Sequence, residues 1–166
     1  MKIAVNPSVE FDCLPYVLQT QVIFLDEFLR ISWDNTIKLI YLEWLQHPIS
    51  EAYRPRFAKA VELSKQKKSR YWICDSQAIH YLEFADQNWL ANEIGPLCFK
   101  TQLKKFARIT TIESFSLVDM NRVFAKLQRQ GPGKQVTKFE EFLDKQEAFS
   151  WILADVERSR LNRKFR

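Results

Sequence analysis

Residues 28–76 read FLRISWDNTIKLIYLEWLQHPISEAYRPRFAKAVELSKQKKSRYWICDS, and the succession of patterns within them decides the fold. Leu29, Ile31 and Trp33 recur with period two, with Arg30 and Ser32 between them, which predicts a strand buried on one face. Residues 37–44 are apolar on both faces apart from Lys38 and Glu43, the pattern of a strand inside a sheet covered on both sides. Asp34 and Asn35 tolerate left-handed backbone, so Asp34-Asn35-Thr36 predicts a tight hairpin between the two. A helical stripe of Tyr53, Phe57, Ala60 and Val61 follows, with Ser50 as its cap and Pro55 removing an amide that the first turns would use. Residues 71–75 are short, aromatic and apolar, as in a central strand. Strand, turn, strand, helix, strand is the start of a mixed sheet backed by helices.

Downstream the alternation continues. Leu82, Ala85, Trp89 and Leu90 mark a helix over residues 82–94, which Gly95-Pro96 ends or kinks. Residues 106–112 predict a fourth strand through Thr110, Thr111 and two isoleucines. Ser116 and Asp119 form a capping-box start for a helix whose stripe is Leu117, Met120, Phe124 and Leu127. Gly131-Pro132-Gly133 breaks the chain, and residues 136–142 offer a fifth strand. Asp144 and Glu147 form a second capping box, opening a helix with Phe149, Ile152, Leu153 and Val156 inward. The expectation is an α/β chain of order ββαβαβαβα, with a mixed central sheet of about five strands. Residues 28–156 form its domain, residues 1–27 an arm that packs on the body or on a partner, and residues 157–166 a basic tail.

Composition narrows the class. A hydrophobic content of 46% with 14% aromatics supplies a core for one domain of 166 residues and excludes wholesale disorder. Cys13, Cys74 and Cys98 are far apart, odd in number and without chelating spacing, so they read as free thiols in a reducing compartment. Residues 1–12 carry Glu10 and Asp12 where a leader would be basic and apolar, and the apolar run of residues 22–25 is too short to cross a bilayer. A cytoplasmic protein with no membrane partner is expected. The formal charge is +5, and residues 157–166 hold Arg158, Arg160, Arg163, Lys164 and Arg166 against Glu157 alone. The tail therefore supplies four of the five net charges, and the body is close to neutral.

Candidate chemistry is sparse. With three glycines there is no phosphate-binding loop, and neither cysteines nor histidines have metal-ligand spacing, so no cofactor and no metal are expected. His47 and His80 each follow a strand. In a parallel sheet both sit near its carboxyl edge, where α/β folds place ligands, and Asp75, Ser76 and His80 would then form a base and nucleophile. The competing reading, surface loop histidines and no enzyme, is the one adopted. Nucleic acid is the partner to expect if the tail joins Lys100, Lys104, Lys105 and Arg108, with Phe99 and Phe106 to stack bases. Lys65, Lys67, Lys68 and Arg70 read instead as cations favouring a helix C-terminus. Tyr81, Phe84 and Trp89 cluster in one loop-to-helix segment, Trp89 towards the core. Exposed aromatics there would mark a protein interface or homodimer, and an aromatic pocket at the same edge would take a small molecule or lipid.

The element order, the DNT hairpin, the single helix before YWICDS and the late EAFSWIL helix together resemble the STAS-like or SpoIIAA-like group. The likeness is nearest to its small single-domain members of Bacteroidetes type, and it covers residues 28–156. The resemblance implies an α/β sandwich with a mixed sheet, and a non-enzymatic regulatory role in bacterial signalling through protein partners. In anti-anti-sigma members a Ser or Thr at the helix start after the third strand is phosphorylated, in a segment like Asp-Ser-Ser-Gly. Here the segment reads CDSQAIHYLEFADQNWL without that run, which leaves Ser76 as the candidate phosphoacceptor. Its alternative role, with Asp75, is to bond backbone amides of the turn.

Overall fold

The computed structural model describes residues 18–117, 120–130 and 137–164. Six strands form one sheet in chain order: β1 (Thr20–Leu25), β2 (Leu29–Asp34), β3 (Leu39–Trp44), β4 (Tyr71–Asp75), β5 (Lys105–Ile109) and β6 (Lys138–Phe142). The first three are an antiparallel meander, and β3 to β6 run parallel. Helices α1 (Ser50–Lys67) and α2 (Phe84–Lys100) link β3 to β4 and β4 to β5. α3 (Ile112–Leu117) and α4 (Met120–Gln130) lie between β5 and β6, and α5 (Lys145–Lys164) follows β6. The chain is α/β with a mixed sheet, as the pattern predicts.

Alternation along the strands sorts two cores. Leu29, Ile31, Ile40, Leu42, Trp72 and Phe106 face α1, α2 and α4. Leu39, Tyr41, Tyr71, Ile73, Ala107 and Ile109 face α5, which brings Phe149, Ile152 and Leu153. β3 therefore contributes to both cores, which is why its sequence is apolar on both faces. Trp72, fully buried, lies 5.7 Å from the Phe57 ring and 5.3 Å from Phe106, so one aromatic stack ties α1 to β4 and β5. Each such pair adds ~0.5–1.5 kcal/mol beyond its buried area.

The sheet has six strands rather than five because residues 20–25, read as part of an arm, pair with β2. TQVIFL is an edge strand with a bulge between Val22 and Phe24, so its apolar residues do not alternate. The hairpin also differs. Asp34 turns inward and accepts the amides of Thr36 and Ile37, and the left-handed residue is Lys38 (φ 62°) rather than Asn35. α1 is preceded by Ile49, which makes no side-chain cap, and Ser50 lies in the first turn with its hydroxyl on Asp86, 2.5 Å away. α2 continues through Pro96 to Lys100. Thr111, not Ser116, caps the helix after β5: its Oγ1 accepts the Ser114 amide, Ser116 falls inside α3, and Asp119 lies outside the described residues. Asp144 does cap α5 through the Glu147 amide, as predicted. The basic tail continues that helix to Lys164, and Arg166 lies outside the described residues, as do Cys13 and the Gly131-Pro132-Gly133 break.

β1 and β3 are both antiparallel to β2, so β1 runs with the parallel set. Helices α1 to α4 start at the carboxyl end of the sheet. α5 starts there too, since Lys145 reaches Asp75 at the end of β4 while Asp155 reaches Tyr71 at its beginning. The molecule thus has two chemically distinct ends.

Candidate functional site

The carboxyl end carries the residues that the sequence singles out. β4 delivers Asp75 and Ser76 there, both nearly fully buried. The Asp75 carboxylate accepts the Tyr41 hydroxyl (3.2 Å), the Gln77 amide (3.2 Å) and the Lys145 ammonium (2.7 Å). It closes the α5 side of the sheet. Burial and the Asp75 charge push the Tyr41 phenol far above its ordinary pKa, so it stays a donor. Ser76 belongs to the loop above the edge: its amide and hydroxyl both donate to the Ile109 carbonyl, each at 2.8 Å. Phosphotransfer to Ser76 would require that loop to open.

His80 stands apart from both. Its ring stacks on His47 at 5.3 Å, its amide donates to His47 Nδ1 (3.1 Å), and Tyr81 packs on the other ring at 4.7 Å. Accepting at Nδ1 fixes the neutral tautomer of His47 with its proton on Nε2. Partial burial, with His80 beside it, holds the His47 pKa below the ordinary histidine value. Asp75, Ser76 and His80 therefore face three different sets of partners and do not converge as base and nucleophile. A depression of about 190 Å³ beside the histidines is lined by His47, Ser50, Tyr81, Glu83 and Asp86 among others.

On the helical side of the same edge lies a buried charge that sequence reasoning took for surface. Arg108, 4% exposed, points from β5 beneath α2 and α4 and pairs with Glu141 at 3.3 Å, while its Nη2 has no hydrogen-bond partner among the described residues. Lys105 is likewise buried, donating to the Trp151 carbonyl (2.7 Å) and lying 4.4 Å over the Trp151 ring. Phe106 is core. These three do not belong to a phosphate-binding surface, because alternation on β5 turns all of them into one core or the other. The void beside Arg108, Cys74 and Ser76 measures about 20 Å³, room for ~1 water and not for a lipid or metabolite. Burial pushes the Cys74 and Cys98 thiols up to about 12, so both are protonated, inert groups at neutral pH.

The carboxyl end exposes a rim of apolar side chains. Tyr81 is 50% exposed and Phe84 65%, the latter with the Arg122 guanidinium 3.9 Å over one face of its ring. Leu45 and Ile49 flank them after β3, Ile112 and Phe115 after β5, Leu143 after β6, and Leu25 ends β1. Among the described residues, these are all of the exposed large hydrophobic side chains, and every one lies at this end. Trp89 turns inward and meets Tyr53 and Phe57 edge-on. Sequence reasoning found Tyr81 and Phe84 but not the other rim residues, which are scattered over the ends of four strands and the segments that follow them.

No three His, Cys, Asp or Glu side chains among the described residues cluster to hold a metal ion, and no described helix is long and apolar enough to cross a membrane. Comparison of the chain with protein-family models, with curated proteins and with solved structures finds no match.

Proposed function

We propose that the chain is a non-enzymatic protein-interaction module of STAS-like type, and that it docks a protein partner on the apolar rim at the carboxyl edge of its sheet. The observation that carries this reading is the confinement of the exposed large hydrophobic side chains to that rim. Scattered single apolar residues are ordinary on a surface, but their collection at one end marks an interface. Tyr81 and Phe84 supply broad rings at its centre, the residue types that dominate binding energy at interfaces. The histidine stack and the Ser76 anchor hold the loop that presents them. A regulatory role in signalling follows the resemblance of the element order and rests on no residue of its own.

Site-specific photo-crosslinking in cells tests the docking surface. A crosslinker at Tyr81, Phe84 or Phe115 is expected to give a discrete adduct with another protein, or one of twice the chain mass if the partner is a second copy. The same group at Glu62, on the exposed face of α1, is expected to give none. Adducts equally strong at Glu62, or none at any rim position, would overturn the docking reading.

A further inference from the structure

We propose that the opposite end of the sheet binds the phosphate backbone of duplex DNA through four cations that adjacent parallel strands bring to one edge. Lys38, Arg70 and Lys104 each immediately precede a strand, and Lys138 opens the next. Main-chain bonds join them in series: the Arg70 amide donates to the Lys38 carbonyl, Lys104 to Arg70, and Lys138 to Lys104, each at 2.8 Å. Neighbouring strands lie ~4.8 Å apart, so the four span roughly 14 Å along this edge, with Lys138 in register with Lys105 and so one residue further along its strand than the other three. Lys38 bonds Asn35, and none of the four makes an ion pair among the described residues.

The helix macrodipole does not account for this row. It explains cations in the last turns of α1 and α2, where Lys65, Lys67 and Lys100 lie. The four row residues lie beyond those turns, at strand starts, where a macrodipole has faded. Adjacent like charges across strands cost stability. The carboxylates near this end are turned to other tasks. Asp34 holds the amides of Gln19, Thr36 and Ile37, and Asp155 holds Tyr71 and Lys105. A groove of about 540 Å³ lined by Lys65, Lys68 and Lys100 runs beside the row. α5 carries Arg158, Arg160, Arg163 and Lys164 past the same edge.

The chemistry of this end selects among polyanions. Among the described residues it exposes no large apolar or aromatic side chain, so it offers neither a base-stacking platform for single strands nor a wedge for a bilayer. It contacts charge alone. A basic edge of ~14 Å is comparable to the width of a B-form major groove, ~12 Å, and exceeds the narrow major groove of A-form RNA. The predicted binding is independent of base sequence and of the apolar rim.

Fluorescence anisotropy with the full chain and a labelled duplex of mixed sequence tests this. Four phosphate contacts predict a slope of log affinity against log salt of ~−3.6, a ~150-fold loss between ~50 and ~200 mM salt. The Lys38→Gln, Arg70→Gln, Lys104→Gln, Lys138→Gln variant is expected to lose that slope, while Lys59→Gln, which removes one helix-surface cation, is expected to bind as the parent does. If the fourfold variant does not fold, Lys104→Gln with Lys138→Gln, the two most exposed, is expected to lower the magnitude of the slope by ~1.8. The proposal fails if the parent chain does not bind duplex DNA at low salt. It also fails if the row variants bind as tightly as the parent while Arg158→Gln with Arg160→Gln abolishes binding. Tighter, row-dependent binding to anionic phosphatidylserine vesicles or to duplex RNA would reassign the row to those ligands.

Discussion

The two ends of the sheet differ in what they leave to solvent, and each buries one cation in a different way. At the carboxyl end an apolar rim is exposed, and the first turns of α1, α2, α3 and α5 carry Glu51, Asp86, Glu113 and Glu147. At the amino end the exposed edge is basic. Helices α1, α2, α4 and α5 run from the carboxyl end to the amino end, so their summed dipoles favour acids at the first end and cations at the second. Polarity of charge is therefore a by-product of the topology. The apolar rim and the cation row are not, since a dipole has no preference for Tyr81, Phe84 or Phe115, and its reach ends before Lys104 and Lys138. What exceeds the dipole is the part assigned to binding.

The buried cations give the sharpest way to break the comparison. Arg108 at the carboxyl end has the Glu141 carboxylate and one guanidinium nitrogen without a partner among the described residues, with side-chain exposures of 5% and 13%. Lys105 at the amino end has Asp155 at 3.9 Å, but also the Trp151 carbonyl and ring, and Asp155 is 28% exposed. Removing one partner from a buried pair leaves a charge that low-dielectric surroundings penalise. Glu141→Gln is expected to destabilise by ~3 kcal/mol and Asp155→Asn by ~1 kcal/mol in urea unfolding, because Lys105 keeps other contacts. Arg108→Met, which removes the charge together with its need for a partner, is expected to cost less than half of the Glu141→Gln loss. Equal losses for Glu141→Gln and Asp155→Asn would mean that the two ends bury charge alike.

This contrast also shows what the chain reveals before it folds. Elements whose faces alternate cleanly were legible: β2, β4 and the stripe of α5 fall where their patterns put them, and the tight cap at Asp144 is local. β1 was not, because a bulged edge strand alternates imperfectly and gains its partner only from β2. The site divides in the same way. Tyr81 and Phe84 share a segment, so their proximity could be read directly. The row of Lys38, Arg70, Lys104 and Lys138 could not, because its members come from separate connections and only the pairing of neighbouring strands brings them to one edge. Arg108 and Lys105 looked like surface charge for the converse reason: a basic residue in a short strand gives no sign of which partner waits on the neighbouring element.

Protons sharpen the comparison with a smaller effect. His47 at the carboxyl end has a pKa held below 6.5 in the fold, first by burial and then by His80. Its contribution is therefore complete above about pH 6.5, the unfolded value, and is lost as pH falls through the lowered native value. Protonation at Nδ1 also removes the acceptor for the His80 amide. Proton exchange followed by NMR is expected to show the His80 amide losing protection as pH falls below about 6.5, with the Lys104 and Lys138 amides unchanged. His47→Gln is expected to abolish the pH dependence at His80. Lys105 answers at the other end of the scale: burial lowers its pKa from 10.5 although Asp155 opposes this, so the fold tolerates the neutral amine earlier than the unfolded chain does. Loss of protection at both ends together on acidification would show a single cooperative response rather than a local one.

The smallest effect belongs to the surface between the ends. Lys59 and Glu62 on α1 pair at 3.0 Å, one turn apart, with side chains 42% and 52% exposed. Water screens such a pair, and holding two long side chains in one geometry offsets most of the attraction. Lys59→Ala is expected to change stability by less than ~0.5 kcal/mol, with the helix propensity of alanine acting in the opposite direction. It is also expected to leave both the His80 amide protection and any salt-dependent binding unchanged, since the residue belongs to neither end. A measurable change in either property would mean that α1 transmits charge along its length, and that the rim and the cation row are coupled through it rather than independent.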